Sequence, residues 1–255
     1  MIFDTHAHYD DEAFNEDREK LLAGLLEHGI EAVTNVGASM RTSKSTLELA
    51  EKYPHVYGAI GVHPNETADL DEDSISWLKS RSSHEKVVAI GEIGLDYYWD
   101  EPDRETQKRW FIRQLDLAKQ VKLPVIIHSR DAAKDTLDIM KAEGGRDTGG
   151  VIHCFSYGRE IAREYLNMGY YLGIGGVVTF KNARKLKEVV EYMPMEQLVL
   201  ETDCPYLAPS PNRGKRNSSL NLPYVVREIS TIKGITQEEV IEITSYNAKK
   251  LYRLV

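Results

Sequence analysis

Eight short runs rich in Val, Ile and Gly recur along the 255 residues with amphipathic stretches between them, and this alternation restricts the fold more than any other feature of the chain. The runs are Ile2 to His6, Ala32 to Val36, Val56 to Val62, Val87 to Ile93, Val125 to His128, Val151 to His153, Tyr170 to Gly173 and Leu198 to Thr202. Most are too short and too uniformly apolar for half-exposed antiparallel strands, which alternate in polarity. They read as parallel strands covered on their outer face. The stretches between carry helical spacing: Leu21, Leu22, Leu25 and Leu26 form an apolar stripe that stops at Gly29, and Trp110, Phe111, Leu115 and Ala118 form another before Pro124. Further helices are expected over Ser43 to Lys52, Ile75 to Arg81, Ala132 to Lys141, Ile161 to Met168, Ala183 to Tyr192, Pro223 to Ile232 and Gln237 to Leu254. Eight strands alternating with helices over this length match a (β/α)8 barrel of the α/β class. A doubly wound sheet would have a glycine-rich phosphate turn after its first strand, and none follows Phe3-Asp4-Thr5-His6. With no linker and no internal repeat, residues 1–255 are expected to form a single domain.

Composition narrows the function classes. At 42% hydrophobic the chain can build a large core, yet no run of about eighteen apolar residues is present to span a bilayer. The start, Met1-Ile2-Phe3-Asp4, meets an acid before any apolar run, so it does not read as a secretory signal, and a cytoplasmic protein is expected. Two cysteines, Cys154 and Cys204, are too few for a disulfide scaffold. The net charge of −8 argues against a protein that coats nucleic acid through a broadly basic surface, so any phosphate contact must be local.

In a closed parallel barrel the reactive groups gather at the C-terminal ends of the strands. Of the eight histidines, His6, His8, His63, His128 and His153 fall at or just beyond predicted strand ends, whereas His28, His55 and His84 fall on helices or loops and read as surface residues. His6 and His8 are alternate residues, so both imidazoles can project to one side toward one cation. Asp4 is in step with His6 and reads either as an acid that orients it or as a solvated strand residue. Glu92 ends an otherwise apolar fourth run, where a carboxylate buried without a partner would cost several kcal/mol. His128, His153 and Asp203 end the fifth, sixth and eighth runs. Singly, each reads equally as a buried polar residue satisfied by hydrogen bonds. Jointly, His6, His8, Glu92, His128, His153 and Asp203 exceed what one divalent ion uses. They favour two ions bridged by Glu92 at roughly 3.5–4 Å. Such a centre suits hydrolysis, with Asp203 as ligand and proton acceptor beside the attacking water. The mixed nitrogen and oxygen ligands accommodate Zn or Mn, and Mg through its carboxylates.

These residues resemble the TatD family of metal-dependent nucleases, within the amidohydrolase superfamily. The likeness is carried by Phe3-Asp4-Thr5-His6-Ala7-His8, Gly61-Val62-His63-Pro64, Gly91-Glu92-Ile93-Gly94-Leu95-Asp96-Tyr97-Tyr98, His128-Ser129-Arg130, His153-Cys154-Phe155-Ser156 and Glu201-Thr202-Asp203-Cys204-Pro205-Tyr206. The resemblance implies a TIM barrel, the six metal ligands named above, and divalent-metal-dependent cleavage of DNA, by a 3′-to-5′ exonuclease. Where the family usually has an acid and a proline after Arg213-Gly214-Lys215-Arg216-Asn217, this chain has Ser218-Ser219, which bears on how that loop is held.

Arg213, Lys215 and Arg216 in the segment Cys204 to Asn221 form the expected phosphate site, or else a solvated basic loop. Beside a metal centre they suit single strands or chain ends rather than a long duplex. Arg130 reads as a further phosphate contact or as the partner of Glu201 or Asp131. Tyr97, with Tyr98 and Trp99, reads as a face on which a base stacks, or as packing. His63 is expected either to orient water or a phosphate oxygen at the site or to cap the following turn. DNA is the expected partner, with no obligate protein partner evident. The rival classes are a small-molecule amidohydrolase or esterase, a D-aminoacyl-tRNA deacylase, and a non-enzymatic barrel with structural metals.

Overall fold

A computed structural model describes residues 1–255. The eight apolar runs become β1 (Ile2–Ala7), β2 (Ile30–Val36), β3 (Val56–Ile60), β4 (Val87–Asp96), β5 (Val125–Arg130), β6 (Gly150–Ile152), β7 (Tyr171–Ile174) and β8 (Leu198–Leu200). Each strand pairs in parallel with the next, in the order β1 to β8. The two ends of the sheet meet just beyond β8. There Ala7 bridges Cys204, the His8 N–H donates to the Cys204 carbonyl at 2.8 Å, and the Asp203 N–H donates to the His6 carbonyl at 2.9 Å. The result is a (β/α)8 TIM barrel, as the alternation predicts.

The outer layer comprises α1 (Arg18–Gly24), α2 (Met40–Lys52), α3 (Glu72–Arg81), α4 (Arg104–Val121), α5 (Ala133–Ala142), α6 (Gly145–Thr148), α7 (Arg159–Asn167), α8 (Arg184–Tyr192), α9 (Leu222–Lys233) and α10 (Gln237–Leu251). Local chemistry sets their ends. Ser39 and Thr42 form a capping box on α2, and Thr236 with Glu239 forms another on α10. The leucine stripe before Gly29 is covered by α1 and a 3-10 turn over Leu26–His28, which ends on Gly29 at φ 80°. The four-residue α6 was not predicted, since a single turn has no periodicity to detect.

The main apolar core lies between barrel and helices. A second cluster groups Phe3, Ala59, Ala89, Ile126, Val151 and Val199 with Ala248 and Leu251 of α10 and with Tyr252 just after it, and fills the barrel interior. Side chains alternate across a strand, so the residue two positions on faces the same interior. Ile126 is followed by His128, Val151 by His153, and Val199 by Glu201 and Asp203. The apolar layer thus forms a floor, and the polar residues stand above it at the mouth. No helix is long and apolar enough to cross a membrane.

Candidate metal centre

The buried Glu92 carboxylate stands at the middle of the mouth, and its two oxygens face different partners. Oε2 lies 3.4 Å from His6 Nε2 and 3.9 Å from His8 Nε2. Asp203 Oδ1 completes that side, 3.8 Å from His6 Nε2 and 3.4 Å from His8 Nε2. Oε1 lies 2.8 Å from His128 Nδ1, 3.3 Å from His153 Nε2 and 3.8 Å from His63 Nε2. The ligand atoms of His6, His8 and Asp203 fall within 4.8 Å of one another, as do those of His63, Glu92 and His128. All six sequence-predicted ligands converge, together with His63.

Surrounding groups orient the rings through their second nitrogens. His8 Nδ1 is 2.8 Å from the Val36 carbonyl, so it carries the proton there and leaves Nε2 free as a ligand atom. His128 Nε2 is 3.1 Å from Asp96 Oδ2, which leaves Nδ1 toward Glu92. His153 Nδ1 is 3.3 Å from Glu201 Oε1, and that oxygen also accepts the Cys154 N–H at 2.6 Å. Gly173 makes room for Glu201, since a Cβ there would stand 2.1 Å from the carboxylate. The His6 ring stacks on His153 with centroids 3.7 Å apart, and its Nδ1 is buried without a partner. Cys154 and Asp203 both sit in the left-handed region, at φ 46° and 55°, where the chain turns out of β6 and β8 into the mouth.

The electrostatics show a cluster short of positive charge. Burial opposes ionisation of Glu92, but His153, His128 and His6 outweigh it and hold the carboxyl well below its usual range. For Asp203, burial is likewise overcome by His8, His153 and His6, and its carboxyl is also lowered. Burial acts against protonation of His8 and His153 as well. Even so, Asp203 and Glu92 raise His8 to about 9, and Glu201 and Glu92 raise His153 to about 10. Imidazolium thus balances buried carboxylate, a place that divalent cations fill with the same donor set. The residues present fit such ions.

His63 takes the capping role of the two expected for it and turns its other ring nitrogen toward the cluster. Nδ1 accepts the Asn65 N–H at 3.2 Å and caps the turn Pro64–Glu66, which puts the proton of the neutral ring on Nε2, facing Glu92. Burial and the neighbouring His128 lower this imidazole to about 3, so it remains neutral.

The predicted substrate contacts are dispersed. Arg216 makes a bidentate pair with Asp17 at 2.7 and 2.6 Å, donates to the Ala13 carbonyl, and lies 4.8 Å from the Phe14 ring centroid. Three of its five N–H donors are thus used within the protein, so it is held by Asp17 rather than standing as part of a solvated basic loop. Arg213 stacks on Phe180 at 4.3 Å. Lys215 borders a shallow depression beside the cleft, with Asp11, Glu12 and Tyr206 shared between the two. Arg130 pairs with neither Glu201 nor Asp131, but stacks on Tyr98 at 3.9 Å. Tyr97 is not an open base platform: Arg104 covers its ring at 4.2 Å and its hydroxyl donates to Asp135 at 2.8 Å. Tyr98 and Trp99 are the exposed aromatics of that loop.

A cleft of about 790 Å³ opens over the cluster, lined also by Asp10, Asp11, Arg41, Asn65, Glu66 and Tyr206. Sequence reasoning passed over Arg41 and assigned no role to Asp96. The signal for Asp96 was its place four residues after Glu92 on a strand; Arg41, on a helix after an unremarkable loop, offered none.

Residues 3–253 match the family described as TatD related DNase. The chain is 46% identical over 254 residues to the uncharacterized metal-dependent hydrolase YabD of Bacillus subtilis, covering 100% of both chains. It is 29% identical over 259 residues to the 3'-5' ssDNA/RNA exonuclease TatD of Salmonella typhimurium, again covering 100% of both. The crystal structure of YjjV, a TatD homolog from Escherichia coli, superposes with a TM-score of 0.92 at 31% identity, covering 99% of this chain and 98% of that one.

Proposed function

Because the chain belongs to the TatD-related DNase family of metal-dependent hydrolases, we propose that it cleaves phosphodiester bonds of DNA, working from the 3′ ends of single strands, with two divalent cations bridged by Glu92. The observation that carries this reading is the division of the Glu92 oxygens between two donor sets: His6, His8 and Asp203 on one side, His128 and His153 on the other. His6, His8, Asp203 and Oε2 of Glu92 would hold one ion, and His128, His153 and Oε1 the other, whether Zn, Mn or Mg. Bound there, the ions would supply Lewis-acid stabilisation of phosphoryl charge and a lower pKa for water.

The chain's own residues supply the rest. Asp203 keeps an ionised carboxylate at the open edge of the cluster and accepts a proton from the attacking water. His63 holds its Nε2–H toward the cluster and donates it to a non-bridging phosphate oxygen, remaining neutral throughout. Glu201 and Asp96 fix the rings of His153 and His128, so the centre is preorganised. Naming of a relative as a 3'-5' ssDNA/RNA exonuclease supports the polarity and the single-stranded substrate. The reading is of a cytoplasmic enzyme that needs no protein partner.

The test uses chelator-stripped protein reloaded with Mg²⁺, Mn²⁺ or Zn²⁺ and given oligonucleotides labelled at the 5′ or the 3′ end. Expected is metal-dependent release of nucleotides from the 3′ end, with Glu92→Gln slower by at least about a hundredfold. Hydrolysis of D-aminoacyl-tRNA, simple amides or esters, with oligonucleotides left intact, would replace the nuclease reading by its rivals.

A further inference from the structure

Arg41, in the first turn of α2, is the only lysine or arginine on the wall of the cleft that holds the histidine and carboxylate cluster. It is exposed, and its guanidinium has no hydrogen bond, ion pair or aromatic face to rest on. Of the basic residues that looked better placed in the sequence, Arg216 pairs with Asp17, Arg213 stacks on Phe180, Arg130 stacks on Tyr98, and Lys215 lines the neighbouring depression rather than this cleft. Other charged residues on this wall are acids. Of these, Asp10 accepts from Asn35 at 2.9 Å, while Asp11 accepts from the Ala13 N–H at 2.8 Å and from Tyr206 at 3.1 Å, so neither is tied to Arg41.

An unpaired fork of donors over a phosphodiester site is suited to a second phosphate, since guanidinium binds phosphate bidentately. The same acids disfavour a longer run of phosphates along that wall. We propose that Arg41 grips the phosphate next to the scissile one, so that the cleft selects a polynucleotide end carrying two adjacent phosphates over an isolated phosphodiester. This rests on the nuclease reading above and adds the residue that recognises the chain.

The experiment compares wild type, Arg41→Ala, Arg41→Lys and Arg163→Ala in the metal-loaded enzyme. Arg163 is an exposed, unpaired arginine on α7 outside the cleft, and its variant makes the same charge change. Substrates are 5′-phosphorylated tetrathymidylate and bis(p-nitrophenyl) phosphate, which carries one phosphate. Arg41→Ala is expected to raise KM for the tetranucleotide at least about tenfold more than KM for the single diester, with kcat far less affected. It should also reduce the slope of log affinity against log salt by about one. Arg41→Lys recovers part of the loss, and Arg163→Ala behaves as wild type. Equal damage on both substrates, or no change in the salt slope, overturns the inference while leaving the nuclease reading standing. Failure of wild type to cleave or bind the tetranucleotide overturns both.

Discussion

At the scale of single residues, the centre is defined by which atoms of a side chain face which neighbours. The two oxygens of Glu92 look in different directions, and the Asn65 N–H on Nδ1 of His63 leaves that ring's proton on Nε2. Protonation follows from the same contacts. In the metal-free protein, Asp203 and Glu92 hold His8 at about 9, and Glu201 and Glu92 hold His153 at about 10, so both rings carry a proton at pH 7. A ligand nitrogen must give that proton up when an ion binds. Loading at pH 7 should therefore release about two protons per chain, and affinity should rise with pH until these rings titrate in the free protein. Calorimetric titrations with Mn²⁺ or Zn²⁺ in buffers of different ionisation enthalpy measure the count; a heat independent of buffer would show that these rings are already neutral at pH 7 in the metal-free protein.

At the scale of elements, the segment from Cys204 to Asn221 shows how a long loop, regular only in its closing 3-10 turn Ser219–Asn221, is held. Its departure at Ser218-Ser219 is where the anchor lies. Ser219 is fully buried, donates to Asp4 Oδ2 at 2.6 Å, shares a hydrogen bond with the Tyr9 hydroxyl at 2.8 Å, and gives that hydroxyl its own N–H at 3.0 Å. Asp4 also accepts from Thr202 Oγ1 at 2.7 Å and from the Thr202 and His6 N–H groups, so it ties the loop to β1 and to the chain just past β8. It is neither solvated nor in contact with the His6 ring, and burial pushes its carboxyl up to about 7 against these donors. Upstream, Asn217 donates to the Thr202 carbonyl at 3.0 Å, and Arg216 pairs with Asp17. Ser219→Ala removes two buried hydrogen bonds, one of them to a carboxyl group, at a cost of about 1–3 kcal/mol. In a domain of this size that lowers Tm by several degrees, roughly 2–4 °C per kcal/mol. A thermal scan unchanged within a degree would show that the loop is held elsewhere.

At the scale of the whole molecule, closure of the barrel makes the site. His6 and His8 come from the start of the chain and Asp203 from near its end. They become neighbours because the backbone beyond β8 bonds to β1 through His6, Ala7 and His8. The lower end is sealed independently by α10 and the residue that caps it, Tyr252, which donates to the Thr5 carbonyl at 2.7 Å and packs against Phe3. The mouth is thus separable from what holds the fold. His128 and Asp203 belong to neither apolar cluster. We expect His128→Ala and Asp203→Ala to abolish turnover while keeping native circular dichroism and cooperative unfolding. Unfolding of both variants would show that the cluster is needed for the barrel to form.

The positions of strands and most helices were legible in the chain because they depend on local periodicity: continuous apolar runs for buried parallel strands, three-to-four-residue stripes for covering helices. The residues of the cluster were legible for a related reason. A polar residue that ends an apolar strand has one place to point, so His128, His153 and Asp203 could be aimed at a common mouth from order along the chain alone. Partner choice among long, flexible side chains carries no such periodicity. Arg216 faces Asp17, 199 positions away in sequence, and Tyr97 lies beneath Arg104. The one lysine or arginine of the cleft wall is Arg41 rather than a member of the conspicuous basic cluster, because contacts between distant loops form only once the barrel has closed.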